Sequence, residues 1–324
     1  SYSCSGYPFD VRILVTGGAG FIGSHVCAQL ALQGHGVTVL DDFNDYYDPQ
    51  IKRANVEALG SGVVLREGDI RNARFVQDVM AEGKFDSIIH LAARAGVRPS
   101  LLDPMLYIET NIVGTQNLLE AAHKNGVSRF VFASSSSVYG LAKVVPFSED
   151  LPLPQTLSPY AATKIAGEQL CGNYAHLYGM KVVCLRFFTV YGPGQRTELA
   201  IHKFTDSIHH GKKIPQYGDG STRRDYTYID DIVQGVLGAL RYQGPAFDIF
   251  NLGENQTTTL SELISEIERA LGKQAIIERL PEQQGDMPLT SADISKAQRL
   301  LGYNPTTKIR EGIPKFVEWY LNRQ

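Results

Sequence analysis

A tyrosine and a lysine that could carry proton transfer stand four residues apart in the segment Ser158-Pro-Tyr-Ala-Ala-Thr-Lys164. On a helix, this spacing places Tyr160 and Lys164 on one face. The pKa of a free tyrosine is about 10, and a neighbouring ammonium group lowers it by favouring the phenolate. The phenolate can then accept the proton of a substrate hydroxyl while hydride leaves the same carbon. Taken by itself, the motif also fits a chance pair on a surface helix.

Four consecutive serines, Ser134–Ser137, follow the apolar run Phe130–Ala133. Such a run predicts a buried strand, and hydroxyl groups at the carboxyl end of a parallel strand point into the expected ligand cleft. A serine-rich turn is the alternative. We therefore treat the serines as candidates for contacts with a substrate.

A glycine-rich turn, Gly17 to Gly23, lies between the β-branched run Val11–Thr16 and the helical pattern Phe21–Gln33. In this GxxGxxG arrangement, Gly17 permits a tight turn, Gly20 lets the backbone approach a pyrophosphate, and Gly23 allows close helix–strand packing. The helix N-terminus supplies oriented N–H groups to phosphates. Because the glycines follow a strand and open a helix, the segment predicts a dinucleotide site rather than an ordinary turn.

Asp41 ends the next apolar run, in the segment Leu40-Asp-Asp-Phe-Asn44. A carboxylate at this position accepts hydrogen bonds from ribose hydroxyls and repels a 2′-phosphate, which favours NAD over NADP. A plain turn with an N-capping aspartate is the alternative. Asp69 is a candidate contact of the adenine, and it equally suits the cap of a helix over Arg71–Glu82.

Short apolar runs alternate with helical patterns through the first half of the chain. Runs that are apolar throughout suit parallel strands covered on both faces. The alternation of such strands with helices therefore predicts an α/β fold with a doubly wound, Rossmann-type parallel sheet. We assign residues 1–188 to an NAD-binding domain, with returns near 226–252, and residues 189–324 mainly to a smaller α/β substrate-binding domain. The predicted strands are Val11–Thr16, Val37–Leu40, Val63–Glu67, Ser87–Leu91, Phe130–Ala133, Val182–Phe188 and Asp248–Leu252, and the predicted helices are Phe21–Gln33, Arg71–Glu82, Met105–Asn125, Tyr160–Leu177, Ala200–His210, Leu260–Leu271 and Ile309–Asn322.

The composition excludes several classes of function. The formal net charge of the 324 residues is −3, without the basic surface that nucleic acids or anionic membranes require, and no apolar run approaches the roughly 20 residues of a bilayer span. The four cysteines lack metal-ligand spacing, and Cys27 and Cys184 lie in apolar stretches, so we expect no metal site and a reducing cytoplasm. Residues Ser1–Asp10 lack the basic start and apolar core of a signal peptide, and we expect a short arm there.

Together these features resemble the extended short-chain dehydrogenase/reductase family over nearly the whole chain. The resemblance implies that Ser135 is catalytic beside Tyr160 and Lys164, that Asn111 steadies the catalytic helix, and that Arg224 contacts a nucleotide diphosphate. The residues that carry it are the Gly17–Gly23 loop, His90-Leu-Ala-Ala93, Asn111, the serine run with Val138-Tyr-Gly140, Tyr160, Lys164 and the segment Arg224–Asp231. The expected cofactor contacts are Gly17, Gly20, Phe21, Ile22, Gly23, Asp41, Asn44, Asp69, Ile70, Leu91, Ala92, Ala93, Asn111, Ser134, Tyr160, Lys164 and Phe187.

Within that family, further segments are similar to those of UDP-glucuronate 4-epimerases. This implies a transient oxidation at C4 of a UDP-sugar on tightly bound NAD. It also implies a homodimer formed through the helices at 105–125 and 160–177, whose apolar faces could instead pack only within the monomer. The similar segments are Asp41–Pro49, Arg94–Arg98, Arg186–Pro193, Gly285–Thr290 and Trp319-Tyr320. The segment Gly194–Ala200 departs from the subgroup's usual Trp-Gly-Arg-Pro-Asp-Met-Ala, although it retains Arg196. The expected substrate contacts are Arg98, Ser136, Ser137, Thr189, Arg196, Gln216, Arg224 and Asp286.

A uronic acid imposes a chemical requirement of its own, because its 4-keto form is a β-keto acid that loses CO₂ when the carboxylate bond aligns with the carbonyl π-system. Ser136, Ser137, Thr189 and Arg196 are our candidates for holding the carboxylate away from that alignment. Related dehydratases and decarboxylases carry acidic residues at the positions of Ser136 and Ser137, so the serines disfavour both chemistries. A UDP-glucose or UDP-N-acetylglucosamine 4-epimerase and a non-catalytic NAD-binding sensor are the alternatives.

Overall fold

The structure, a computed structural model, describes residues 10–282 and 288–324. Within these ranges, no helix is long and apolar enough to cross a bilayer. The strands are β1 Arg12–Thr16, β2 Gly36–Asp41, β3 Val63–Glu67, β4 Ser87–His90, β5 Arg129–Ser135, β6 Lys181–Phe187, β7 Thr189–Tyr191, β8 Lys213–Tyr217, β9 Arg223–Tyr228, β10 Phe247–Leu252, β11 Thr257–Thr259 and β12 Ile276–Leu280. The helices are α1 Phe21–Leu32, α2 Pro49–Leu59, α3 Ala73–Gly83, α4 Val97–Leu102, α5 Pro104–Tyr107, α6 Gly114–Lys124, α7 Pro159–Tyr178, α8 Ala200–His209, α9 Ile229–Arg241, α10 Leu260–Leu271, α11 Ser295–Leu301 and α12 Ile309–Leu321.

Seven strands form one sheet in the order β3–β2–β1–β4–β5–β6–β10, and every neighbouring pair is parallel. The strand order reverses between β1 and β4, which is the switch point at which ligands bind in such sheets. Every residue of β4 and β5 is buried, as expected for parallel strands covered by helices on both faces. The predicted doubly wound, Rossmann-type sheet is confirmed.

The second half of the chain contributes to this sheet and also forms smaller ones. β7, β9 and β11 make a three-stranded sheet, and β8 pairs with β12. The predicted strand Asp248–Leu252 lies within β10, which joins the large sheet beside β6. Helix α9 packs against α1, β5 and β6. The sequence patterns had not revealed α2, α9, β8, β9 or β12; β12, for example, is almost entirely exposed and lacks a continuous apolar run.

Two predicted helices differ from the observed ones. Asn72 caps α3 through its side chain, which accepts the N–H of Phe75 at 3.0 Å; the alternative role of Asp69 as the helix cap is therefore wrong. The helix predicted over Met105–Asn125 consists of α5, a π-helical segment over Ile108–Val113, and α6. A π-helical turn holds more residues than an α-helical turn and often marks a functional site.

A buried ion pair ties α7 to the large sheet. Arg186 of β6 donates from Nη2 to Glu168 Oε1 at 2.7 Å and from Nε to Oε2 at 3.0 Å, with the two side chains only 3% and 4% exposed. Ser134 adds a third hydrogen bond to Glu168, at 2.6 Å. On the other side, Arg186 donates to Tyr139, whose hydroxyl donates to Asn251 of β10. One polar network therefore connects α7, β5, β6 and β10.

Breaking this pair from one side leaves an uncompensated buried charge. We expect Glu168→Ala to lower the free energy of unfolding by about 3–5 kcal/mol. We expect the double variant Glu168→Leu/Arg186→Met to recover most of the loss, because no buried charge then remains unpaired. Urea denaturation followed by circular dichroism measures both. A single variant within about 0.5 kcal/mol of wild type would show that the pair lacks this structural role.

Candidate active site

A cavity of about 490 Å³ opens at the carboxyl ends of β1, β2, β4, β5 and β6. This is the edge of a doubly wound sheet where ligands bind. Its walls come from the glycine loop, the loops after these strands, the start of α7 and the segment after β6. The predicted residues that line it are Gly17, Gly20, Phe21, Ile22, Gly23, Asp41, Asn44, Asp69, Ile70, Leu91, Ala92, Ala93, Ser134, Ser135, Ser136, Ser137, Tyr160, Lys164, Phe187, Thr189 and Arg196.

Four predicted site residues within the described ranges do not line this cavity. Asn111 lies behind its wall. Arg98 is on α4, Gln216 on β8 and Arg224 on β9, so the structure does not bring these three into the cavity, and their roles stay predictions. Asp286 lies outside the described residues.

The glycine loop has the shape that a dinucleotide requires. Gly17 has a φ of +69°, and a Cβ there would lie 2.8 Å from the backbone nitrogen of Ala92; a Cβ on Gly23 would lie 2.1 Å from the carbonyl oxygen of Gly17. Gly20 is the N-cap of α1, and no side chain caps the helix there. The first N–H groups of α1 are therefore left for another acceptor, and a pyrophosphate fits that role.

Asp41 forms the hydrogen bonds of a turn but caps no helix, because Gly20 and Asp48 are the N-caps of α1 and α2. Its carboxylate accepts the N–H of Ala19 at 3.1 Å and that of Phe43 at 3.0 Å. Burial raises its pKa, and these hydrogen bonds together with the charge of Lys52 lower it. A carboxylate has about four acceptor positions. Because two are used and Asp41 lines the cavity, acceptors remain for ribose hydroxyls.

Tyr160 and Lys164 lie on the first two turns of α7. Ser158 is the N-cap of this helix, and its side chain accepts the N–H of Ala161 at 3.1 Å. The Lys164 ammonium group lies 5.7 Å from the centre of the Tyr160 ring. Burial raises the pKa of Tyr160 above its ordinary value, and a hydrogen bond with Ser135 and the charge of Arg196 offset only part of this rise. A cationic nicotinamide in the cavity would also lower it.

Lys164 is buried at the end of β5. Its Nζ donates to the carbonyl oxygen of Ala133 at 2.8 Å, and burial lowers its pKa to about 8. His90 lies nearby, with its ring nitrogens 2.6 Å from the hydroxyl of Thr16 and 2.8 Å from that of Thr115. Burial lowers the pKa of His90 to about 3. The imidazole is therefore neutral at neutral pH and places no second positive charge beside the ammonium.

Asn111 joins the cavity wall to α7 from the π-helical segment. Its amide accepts the N–H of Arg94 at 2.8 Å and donates to the carbonyl oxygen of Arg94 at 3.0 Å. It also donates to the hydroxyl of Thr163 at 3.0 Å, which itself donates to the carbonyl oxygen of Tyr160 at 2.7 Å. This geometry supports the predicted role in steadying α7 rather than a direct contact with the cofactor.

Arg196 enters the cavity from the loop after β7. Its Nε lies 3.0 Å from Glu198 Oε1, and its guanidinium carbon lies 5.7 Å from the centre of the Tyr46 ring. Sequence reasoning missed Tyr46 as a site residue, although the segment Asp41–Pro49 had been singled out for its similarity to one subgroup. The further lining residues that it missed include Asp42, Tyr47, Lys52, Arg94, Thr110, Phe188 and Leu199.

Comparison with known proteins identifies the family. Residues 13–253 match the model of the NAD dependent epimerase/dehydratase family. The chain belongs to this family. Among its relatives is UDP-glucuronate 4-epimerase 4 of Arabidopsis thaliana, which is 46% identical over 96% of this chain and 76% of that protein. An uncharacterised protein of Methanocaldococcus jannaschii is 41% identical over 97% of each chain.

Solved structures share the whole fold. UDP-glucuronic acid 4-epimerase from Bacillus cereus, in complex with UDP-glucuronic acid and NAD, matches with a TM-score of 0.88 at 38% identity, over 96% of this chain and 99% of that one. UDP-glucose 4-epimerase from Thermotoga maritima, with UDP-glucose, matches with a TM-score of 0.87 at 33% identity over the same shares. The predicted membership of the extended short-chain dehydrogenase/reductase family is confirmed.

The burial of Lys164 makes stability depend on pH. Its pKa is about 8 in the fold against an ordinary 10.5, so the unfolded chain binds more protons between these values and stability rises with pH across that window. Relative to Lys164→Met, we expect the wild-type free energy of unfolding to increase by about 3 kcal/mol from below pH 8 to above pH 10. Urea denaturation at a series of pH values measures the difference. A difference that stays flat with pH would contradict the assigned pKa.

Proposed function

We propose that this protein is a 4-epimerase of UDP-hexuronic acids that interconverts UDP-glucuronate and UDP-galacturonate on tightly bound NAD. The observation that carries the proposal is the presence of Arg196 in the same cavity as Tyr160, Ser135 and Lys164. The first is a cation suited to a carboxylate, and the other three are suited to proton transfer at a hydroxyl. The similarity to UDP-glucuronate 4-epimerases of a plant and a bacterium supports it.

The glycine loop and Asp41 are the residues that we assign to NAD. When bound, NAD supplies the reversible uptake of hydride at C4 of the sugar. The N-terminus of α1 would hold the pyrophosphate, and Asp41 the adenosine ribose. We assign residues 1–188, with returns near 226–252, to this part of the site, and residues 189–324 mainly to the substrate.

Tyr160 would take the proton of the 4-hydroxyl group as the sugar is oxidised. Ser135 stabilises the resulting phenolate by a hydrogen bond, and Lys164 adds a positive charge behind the ring. The 4-keto sugar then turns about its diphosphate link and presents its other face. On reduction, Tyr160 returns the proton, so the protein ends the cycle in its starting protonation state.

Arg196, Thr189, Ser136 and Ser137 would hold the carboxylate of the sugar. All four line the cavity, and a hydrogen bond to a charged partner contributes about 1.5–3 kcal/mol. No acidic side chain occupies the two serine positions. The arrangement is therefore suited to retaining the carboxylate through the 4-keto stage.

We expect the purified protein to convert UDP-glucuronate into UDP-galacturonate. The variant Tyr160→Phe should lose at least about two orders of magnitude in kcat, because the base is removed. Tyr242→Phe is the matched control, because this tyrosine lies outside the cavity and bonds Asp248. Mass spectrometry cannot separate the two epimers by mass, so chromatography or proton NMR provides the measurement.

UDP-glucose, assayed beside UDP-glucuronate, tests the alternatives. Faster turnover of UDP-glucose would contradict the substrate assignment and favour a neutral-hexose epimerase. Binding of NAD with no turnover of either sugar would favour a non-catalytic sensor. Epimerisation by Tyr160→Phe at the wild-type rate would contradict the assigned catalytic role.

We also propose a homodimer formed through the outer faces of α5, α6 and α7. Met105 on α5, Ile108 and Val113 on the π-helical segment and Leu177 near the end of α7 are 57%, 37%, 45% and 64% exposed. Single exposed apolar residues are common, but several along neighbouring helices favour an interaction surface. A second copy related by two-fold symmetry would cover this face with its own.

The double variant Met105→Glu/Leu177→Glu should therefore be monomeric, because each glutamate would be buried against a like charge or an apolar surface. Leu32→Glu is the matched control, since Leu32 is 79% exposed at the end of α1. Light scattering coupled to size-exclusion chromatography measures the mass. A monomeric wild type, or a double variant that stays dimeric, would contradict the interface.

We place the protein in the cytoplasm. Cys27, Cys171 and Cys184 are buried free thiols, and burial raises the pKa of Cys27 to about 12. Unpaired thiols that stay protonated suit a reducing compartment.

A further inference from the structure

Arg196 is held in the cavity by two neighbours of different kinds. Glu198 forms an ion pair with its Nε, and the ring of Tyr46 lies beneath its guanidinium carbon at 5.7 Å. An aromatic ring attracts a cation placed over its face within about 6 Å. The ion pair contacts the guanidinium group at Nε, and the ring lies beneath its carbon. The guanidinium group is therefore contacted from two sides.

Tyr46 is itself fixed from several sides. Its backbone N–H donates to the side chain of Asn44 at 3.1 Å, and its hydroxyl is hydrogen-bonded to Tyr107. The Tyr107 hydroxyl donates to the carbonyl oxygen of Ala95 at 2.5 Å. The ring of Tyr107 packs edge to face on Tyr160, with centres 6.4 Å apart. A continuous row of side chains therefore runs from the proposed base, Tyr160, to Arg196.

The 4-keto hexuronate makes the orientation of Arg196 chemically important. In decarboxylation, the bond between C5 and C6 breaks, its electron pair forms the enolate of the C4 carbonyl group, CO₂ leaves, and C5 later takes a proton. No oxidant beyond the first half of the proposed reaction is required. The bond breaks readily only when it stands parallel to the carbonyl π-system. A cation that holds the carboxylate in the plane of the carbonyl group therefore slows the loss of CO₂.

We propose that Tyr46 is a positioning residue that sets the plane of Arg196 and so keeps the carboxylate of the 4-keto sugar out of the alignment that releases CO₂. The inference rests on the proposed function, because it assigns a hexuronic acid to the cavity. Tyr46 acts through Arg196 and through its ring. Loss of the ring frees the guanidinium group to rotate about its ion pair with Glu198.

The test is the ratio of decarboxylated product (the UDP-4-ketopentose, or the UDP-pentose that forms when the hydride is returned to C4) to UDP-galacturonate when purified enzyme is incubated with UDP-glucuronate. In Tyr46→Leu, which lacks the ring, we expect this ratio to rise by about tenfold or more above that of wild type. Tyr46→Phe keeps the ring and should stay within about twofold of wild type. Liquid chromatography with mass spectrometry measures the ratio, since the two products differ in mass. A general loss of structure would lower both products together and leave the ratio unchanged.

A binding measurement gives a second readout that does not depend on turnover. In the Tyr160→Phe background, we expect Tyr46→Leu to weaken UDP-glucuronate relative to UDP-glucose in isothermal titrations, while Tyr46→Phe keeps the preference. Thermal melting checks the fold, and Tyr46→Gln replaces Tyr46→Leu if the leucine variant is unstable. An unchanged product ratio in folded Tyr46→Leu, from an enzyme whose wild type does form UDP-galacturonate, would overturn the inference. A wild type that forms no UDP-galacturonate would instead contradict the proposed function.

Discussion

The burial of the Lys164 ammonium group at the end of β5 is the constraint on which the rest of the site depends. A charge removed from water is costly unless it is paired or hydrogen-bonded, and here the carbonyl oxygen of Ala133 accepts from it. That bond ties α7 to the end of β5. The same helix is held by Glu168, through Arg186 and Ser134, and by Thr163, through Asn111. Tyr160 is therefore placed by contacts with three separate elements.

The cavity is shared by parts of the chain that lie far apart in sequence. The glycine loop and Asp41 lie at the ends of β1 and β2, whereas Thr189 and Arg196 follow β6. Arg196 contacts the ring of Tyr46, and its charge offsets part of the rise that burial causes in the pKa of Tyr160. In the proposed mechanism, this one arginine would act both on the carboxylate of the sugar and on the base, Tyr160.

Local patterns predicted the parts of the site that local geometry determines. The glycine loop, Asp41 and the pair Tyr160 and Lys164 depend on turns, strand ends and helical spacing, and all of them line one cavity. Contacts across long sequence distances were not predictable in this way. Nothing in the spacing of residues places Tyr46 beneath Arg196. The wrong alternative for Asp69 arose because Asn72 competes for the same helix end, and a pattern cannot rank two good caps only three residues apart.

The position of β10 has a consequence for how the chain is made. β6 has β5 on one side, but its other neighbour, β10, is synthesised only after β7, β8, β9 and α9. Until residue 252 leaves the ribosome, β6 presents an open edge of unpaired backbone groups, and the Tyr139 hydroxyl lacks its acceptor, Asn251. Open edges of this kind recruit other strands. Nascent or truncated chains that stop in this interval are therefore the ones most exposed to aggregation and most dependent on chaperones.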